Sequence, residues 1–168
     1  MIDETVEEIQ GMQSHSSSLI AIKATQALSE LLDREYASVD EFERDLERNA
    51  GALRRANPSH PSLHNAVRAV ERSVLDVADS VDEAKAFTRE MIDRVVDDIE
   101  TGKRRAAANA AETFEDGETF LTHDFSTTAL AAVEAAALDG NYLTAYVMEA
   151  RPRYIGRGTA RMLAAIDR

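Results

Sequence analysis

Apolar residues along the first two-thirds of the chain recur at helical spacing. Leu19, Ile20, Ala24, Ala27, Leu28, Leu31 and Leu32 fall three and four apart and predict one amphipathic helix. Val39, Phe42, Leu46 and Leu53 mark the inner face of a second, opened by Ser38-Val39-Asp40-Glu41. That tetrad is a capping box, in which the Ser oxygen takes a backbone N–H three residues on and the Glu reaches back. Asn57-Pro58-Ser59-His60-Pro61 ends the helix, because proline lacks an N–H and clashes with the preceding turn. Leu63, Val67, Val70, Val74 and Val77 form the next stripe. Ser80-Val81-Asp82-Glu83 is a second capping box, opening the longest helix with Phe87, Met91, Val95 and Ile99 facing inward. The expected core comprises Phe42, Leu46, Val67, Val70, Phe87, Met91 and Val95, in a bundle of four or five antiparallel helices over residues 1–114.

The pattern changes at the turn signal Asp116-Gly117. Residues 118–122 form a short candidate strand, and 129–138 an alanine-rich helix closed by Asp139-Gly140. Residues 142–148, rich in β-branched and aromatic side chains, read as a buried strand, and 156–166 as a last helix. Strand-helix-strand at this length implies a parallel pair with a right-handed crossover. The expected fold is therefore mainly α: a helical bundle over 1–114, then a partial Rossmann-like β-α-β-α unit over 115–168. Two parallel strands cannot bury both faces and both edges. Either the chain is a fragment of a longer ancestor or something else completes the sheet, and a protein partner or a homodimer is expected.

Composition narrows the functional classes. With 44% hydrophobic residues over 168 positions a packed core is within reach. No apolar run approaches the ~20 residues needed to span a bilayer, and the acidic start Met1-Ile2-Asp3-Glu4 lacks the features of a secretory signal. No membrane association and a cytoplasmic location are expected. The absence of Cys removes disulfides, thiolate metal ligands and a thiol nucleophile. A net charge of −12 repels phosphate backbones, and the basic clusters at Lys103-Arg104-Arg105 and Arg151 to Arg157 are small, so direct nucleic-acid binding is not expected. Lys occurs three times against 16 Arg. Excess acid with few Lys fits a salt-rich cytoplasm, as in a halophilic archaeon; acidic drift in a GC-rich genome is the plainer alternative.

Ligands of doubly wound sheets bind at the carboxyl ends of the strands. Two segments belong there. In Thr122-His123-Asp124-Phe125-Ser126-Thr127-Thr128, the hydroxyls of Ser126, Thr127 and Thr128 and the free N–H groups of a helix start can hold a phosphate. Plain helix capping by Ser126 or Thr127 is the competing explanation. In Glu149-Ala150-Arg151-Pro152-Arg153, Arg151 and Arg153 can pair with an anion or stay solvated. The expected ligand is a phosphorylated small molecule at Ser126, Thr127, Thr128 and Arg151. No cofactor and no metal are expected: His60 and His64 lack a third ligand, and no Walker-type loop or GxGxxG occurs. His15, among Ser14, Ser16, Ser17 and Ser18, marks a helix start. His123 and Asp124, adjacent in sequence, are expected on opposite faces of the strand.

These strand-end segments carry a family resemblance. Asp116-Gly117-Glu118-Thr119-Phe120-Leu121-Thr122-His123 resembles the DG-x-x-(I/L)LTH strand of the translation initiation factor 2B alpha/beta/delta family. Tyr146-Val147-Met148-Glu149-Ala150-Arg151-Pro152, followed by Gly156, resembles that family's V-x-E-(S/T)-RP…G segment. Val39 to Phe42 and Pro61 to Arg68 are similar to parts of archaeal ribose-1,5-bisphosphate isomerase relatives, so the resemblance covers nearly the whole chain. It implies either regulatory subunits of an exchange factor or isomerases of phosphorylated ribose and thioribose compounds. The isomerases use a Cys just after TH, an Asp further along the sheet and an RGAG phosphate loop. Here Asp124 stands at the Cys position, His15-Ser16-Ser17-Ser18 at the loop, and Asn57-Pro58 where an Arg-Pro helps hold phosphate. The distal Asp and later strands would lie beyond Arg168. The resemblance therefore implies a non-catalytic initiation factor 2B-like protein in regulation or assembly. The alternatives are a sugar-phosphate isomerase completed by another chain, with Asp124 as a carboxylate base, and a remnant that only mediates oligomerisation.

Overall fold

The structure, a computed structural model, describes residues 2–11, 16–75 and 78–166. His15, the first residue of the segment set against the phosphate loop, and Val77 lie outside the described residues. The chain divides into two compact units, Met1–Glu100 and Thr101–Arg168. The division falls inside a long helix, upstream of the 114/115 boundary expected from the sequence. No helix among the described residues is long and apolar enough to cross a membrane.

The first unit holds α1 (Ile2–Gly11), α2 (Ser17–Ala27), a 3-10 turn (Leu28–Leu31), α3 (Val39–Ala56), α4 (Pro61–Val74) and the first part of α5 (Val81–Ala111). Their starts follow local chemistry. The Leu19 N–H donates to Ser16 Oγ at 3.3 Å, so α2 is capped by Ser16. Both capping boxes form. The Ser38 and Ser80 oxygens accept from the N–H groups of Glu41 and Glu83 at 3.3 Å. In return Glu41 and Glu83 accept from Ala37 and Asp79, one residue outside each cap, at 2.8 and 3.0 Å. Pro61 occupies the first turn of α4, where a missing N–H costs nothing.

Ile9, Ile20, Leu28, Leu31, Phe42, Leu46, Leu53, Leu63, Val67, Val70 and Val74 are fully buried and close one core. Phe42, Leu46, Val67, Val70 and Val95 take the expected inner positions, and Met91 packs partly buried against them. Phe87 does not. The inner face of α5 runs through Ala84, Thr88, Ile92 and Val95, leaving Phe87 half-buried outside the cluster. Its ring is large, but the 3.6-residue period carries position 87 off the seam that begins at Ala84. Leu19, expected in the α2 stripe, is likewise exposed.

The second unit contains the end of α5, β1 (Thr119–Thr122), α6 (Thr127–Leu138), β2 (Thr144–Val147) and α7 (Gly156–Ala164). The strands pair in parallel with Phe120 opposite Ala145, Leu121 opposite Tyr146 and Thr122 opposite Val147. The turn before β1 is fixed by Gly117, whose φ of 81° suits glycine. The Gly117 N–H donates to the Tyr142 carbonyl at 2.8 Å, and the Tyr142 N–H donates to Asp116 Oδ1 at 2.7 Å. The segment 142–148 is not the buried strand expected from its composition. Tyr142, Tyr146 and Met148 are 57%, 64% and 47% exposed, and Leu121 is 67% exposed. Side chains alternate across a strand, and in this unit only the face of Phe120, Ala145 and Val147 gains cover.

Candidate functional site

The carboxyl ends of β1 and β2 border a cleft of about 340 Å³ lined by His123, Asp124, Met148, Arg151, Arg153 and Gly156, among others. Its first wall begins where β1 stops. Asp124 adopts φ 63°, a left-handed conformation that costs a non-glycine residue roughly 1–2 kcal/mol. An aspartate tolerates it through local hydrogen bonding, and here the Phe125 N–H donates to Asp124 Oδ1 at 2.9 Å. This turn overturns the expectation for His123 and Asp124. The alternation of side chains holds only while the backbone is extended, and both residues follow the end of β1 and line the same cleft.

The second wall is the loop from β2 to α7. The Arg157 guanidinium donates to both carboxylate oxygens of Glu149, at 2.7 and 3.3 Å, and lies over the Tyr154 ring at 4.6 Å. Gly156 starts α7 in close contact with the strand end: a Cβ there would sit 2.2 Å from the Met148 carbonyl oxygen. That contact accounts physically for a glycine four residues after Pro152. Neither Arg151 nor His123 has a hydrogen-bond or ion-pair partner among the described residues, so both can meet a ligand.

The four residues expected to hold phosphate are not all brought together. Arg151 lines the cleft. Ser126 caps α6, its oxygen accepting from the Ala129 N–H at 3.2 Å. Thr127 and Thr128 begin α6, half-buried, and are not among the residues lining the cleft. What joins Arg151 there is His123 and Asp124. The positive φ of Asp124 was the missing signal, and only the left-handed tolerance of aspartate hints at it in sequence.

Two further clusters lie in the first unit. Asp45 on α3 is buried, with Arg34 Nη1 and the Tyr36 hydroxyl donating to it at 2.8 and 2.9 Å, Asn49 at 2.9 Å, and Arg48 paired with it. Burial alone pushes the Asp45 carboxyl up; the bonds from Tyr36 and Arg34 and the nearby guanidinium charges outweigh it and leave it below its ordinary value. Burial, then the bond to Asp45, pushes the Tyr36 phenol up to about 12. Each polar group here already has a partner within the cluster, as in a brace. His60 and His64 sit at the α3–α4 corner, where His64 Nε2 lies 3.2 Å from the Asn57 carbonyl oxygen. Burial first, then His64, lowers the pKa of His60. No group of three or more His, Cys, Asp or Glu among the described residues is placed to hold a metal ion.

Comparison with known proteins agrees with this architecture. The Initiation factor 2 subunit family matches residues 13–166. The chain is similar to the ribose 1,5-bisphosphate isomerase of Haloterrigena turkmenica, with 35% identity over 164 residues covering 97% of this chain and 50% of that protein. The corresponding protein of Haloferax volcanii is 31% identical over 163 residues, covering 96% and 50%. In fold it resembles the 5-methylthioribose 1-phosphate isomerase of Pyrococcus horikoshii, with a TM-score of 0.78 at 19% identity over 99% of this chain and 49% of that one. It also resembles a chain of the tetrameric eIF2B-beta2-delta2 complex of C. thermophilum, with a TM-score of 0.77 at 20% identity over 98% and 57%. The chain spans about half the length of the curated relatives it matches.

Proposed function

This chain belongs to the Initiation factor 2 subunit family, and from that premise we propose that it is a non-catalytic, initiation factor 2B-like regulatory or assembly subunit whose strand-end cleft binds a phosphorylated small molecule. Asp124 carries the reading. It stands where the resemblance puts the isomerases' cysteine, one carboxylate oxygen is occupied by the Phe125 N–H, and the chain has no thiol to replace it. A carboxylate is a far weaker carbon nucleophile than a thiolate, whereas Arg151 across the cleft suits an anion. In this reading residues 1–114 serve assembly and 115–168 carry the ligand. The exposed pair Leu121 and Tyr146 supports a protein partner or a second copy on the open sheet face. The net charge of −12, with relatives in Haloterrigena and Haloferax, supports a salt-rich cytoplasm as the setting.

A second reading has its own support. The 35% identity to a ribose 1,5-bisphosphate isomerase, with His123 and Asp124 in one cleft, favours an isomerase half-site in which Asp124 acts as a base. One set of measurements separates the two. Calorimetric titration with inorganic phosphate, nucleoside monophosphates and ribose phosphates should show binding that weakens about tenfold in Arg151→Ala, the loss of one charge-assisted contact. Ribose 1,5-bisphosphate should not turn over. Turnover that disappears in Asp124→Asn would replace the regulatory reading with the enzymatic one.

A further inference from the structure

A threonine inside a helix usually returns its hydroxyl to the carbonyl four residues back. Thr25 does so to Ala21 and Thr88 to Ala84, each at 2.8 Å. Thr159, in α7, does not. Its hydroxyl donates to the Asp124 carbonyl at 2.9 Å, 35 residues earlier in the chain, while its N–H takes the Ile155 carbonyl at 3.3 Å. Thr159 is 2% exposed, which shields the donor side of that bond from water, while Asp124 on the acceptor side is exposed. The bond falls on the residue whose backbone is left-handed, a conformation that persists only where its surroundings over-determine it. Three residues earlier on the same helix, Gly156 abuts the end of β2 at Met148. The first turn of α7 therefore touches both strand ends, Met148 through Gly156 and Asp124 through Thr159.

We propose that Thr159 is a positioning residue of the cleft: its buried hydroxyl locks the Asp124 carbonyl, keeping His123 and Asp124 over the same opening as Arg151. The role rests on the reading of the cleft as a ligand site, and it adds what sets the site's width.

The test compares the unaltered chain with Thr159→Val, which removes the hydroxyl at similar shape, and Thr159→Ser, which keeps it. Amide spectra and hydrogen exchange should show the Phe125 N–H shifted, and exchanging about fivefold faster, in Thr159→Val, the effect of losing one net hydrogen bond. Amides of α2 to α4 should be unchanged, and Thr159→Ser should restore Phe125. Affinity for inorganic phosphate should fall about fivefold in Thr159→Val and recover in Thr159→Ser. An unchanged Phe125 amide in a folded Thr159→Val protein overturns the lock. A disturbed amide with unchanged phosphate affinity overturns the positioning role and leaves a packing contact. No phosphate binding by the unaltered protein overturns the ligand reading itself, and with it this role, while the Phe125 amide still reports separately on the lock. Should Thr159→Val fail to fold, the unaltered protein decides the lock: a Thr159 hydroxyl proton protected from exchange is expected, and a freely exchanging one overturns it.

Discussion

The first unit encloses large side chains completely, Phe42, Leu28 and Leu53 among them, whereas among the described residues of the second unit no comparably large side chain is fully buried. Both have similar raw material: apolar residues at the period of their elements. The difference lies in the backbone. A helix satisfies its N–H and C=O groups within itself, so a few helices can close a core on their own. A strand hands half of that work to a neighbour, and two parallel strands cannot cover their own faces. The second unit therefore keeps Leu121 and Tyr146 in water, while Gly156 and Thr159 meet its strand ends closely. The unit with the finished core holds a self-contained polar brace; the unit with the unfinished sheet holds the open cleft.

The largest effect that can sharpen the contrast is Phe42→Ala, expected to cost about 3–5 kcal/mol in denaturant unfolding because the ring is fully buried. The same truncation at Phe87 should cost less than about 1.5 kcal/mol, the ring being half-buried and off the core. Equal losses would put Phe87 back on the seam of α5.

Next comes Gly156→Ala in the second unit. The added methyl meets a backbone oxygen, which cannot rotate away, so a loss of about 2–3 kcal/mol is expected. Circular dichroism melting should reveal it, and the arginine-lined cleft should lose phosphate affinity in parallel. A neutral substitution would show that the strand end is soft and that the cleft is not held by α7.

The Asp45 brace should leave two opposite limbs in the pH–stability profile. Tyr36 is raised from 10.0 to about 12 in the folded chain, so the unfolded state loses its proton first and stability falls as pH climbs from 10 towards 12. Asp45 is lowered from 3.8, so the unfolded state gains its proton first and stability falls as pH drops below 3.8. Tyr36→Phe should erase the alkaline limb. If that limb persists unchanged in this variant, the Tyr36–Asp45 bond is not its source.

The smallest expected change in stability, within about 0.5 kcal/mol, belongs to Tyr146→Ser on the open sheet face. Its effect should appear in association: light-scattering mass in high salt, where like charges are screened, should fall to that of a single chain. A variant that associates like the parent would move the interface elsewhere.

Periodicity, capping boxes and turn glycines are local, and they were enough to place the helices from α2 onwards and the parallel strand pair. Ser38, Ser80, Gly117 and Pro61 act within a few residues of themselves, so their roles could be read directly from the order of residues. The identity of the cleft's walls could not. Ser126 had two local uses for one oxygen, and the fold spent it on the cap. His123 and Asp124 share an opening because one residue leaves the extended region, and a buried hydroxyl 35 residues away meets the turn. Phe87 missed the core by a fraction of a helical turn, and Tyr146 stayed in water because this unit lacks cover for that face. Local chemistry chooses among a few backbone states at each position, and the sequence alone records that choice. Which groups then meet depends on the summed geometry of several elements, a small difference between large competing terms that only the tertiary structure resolves.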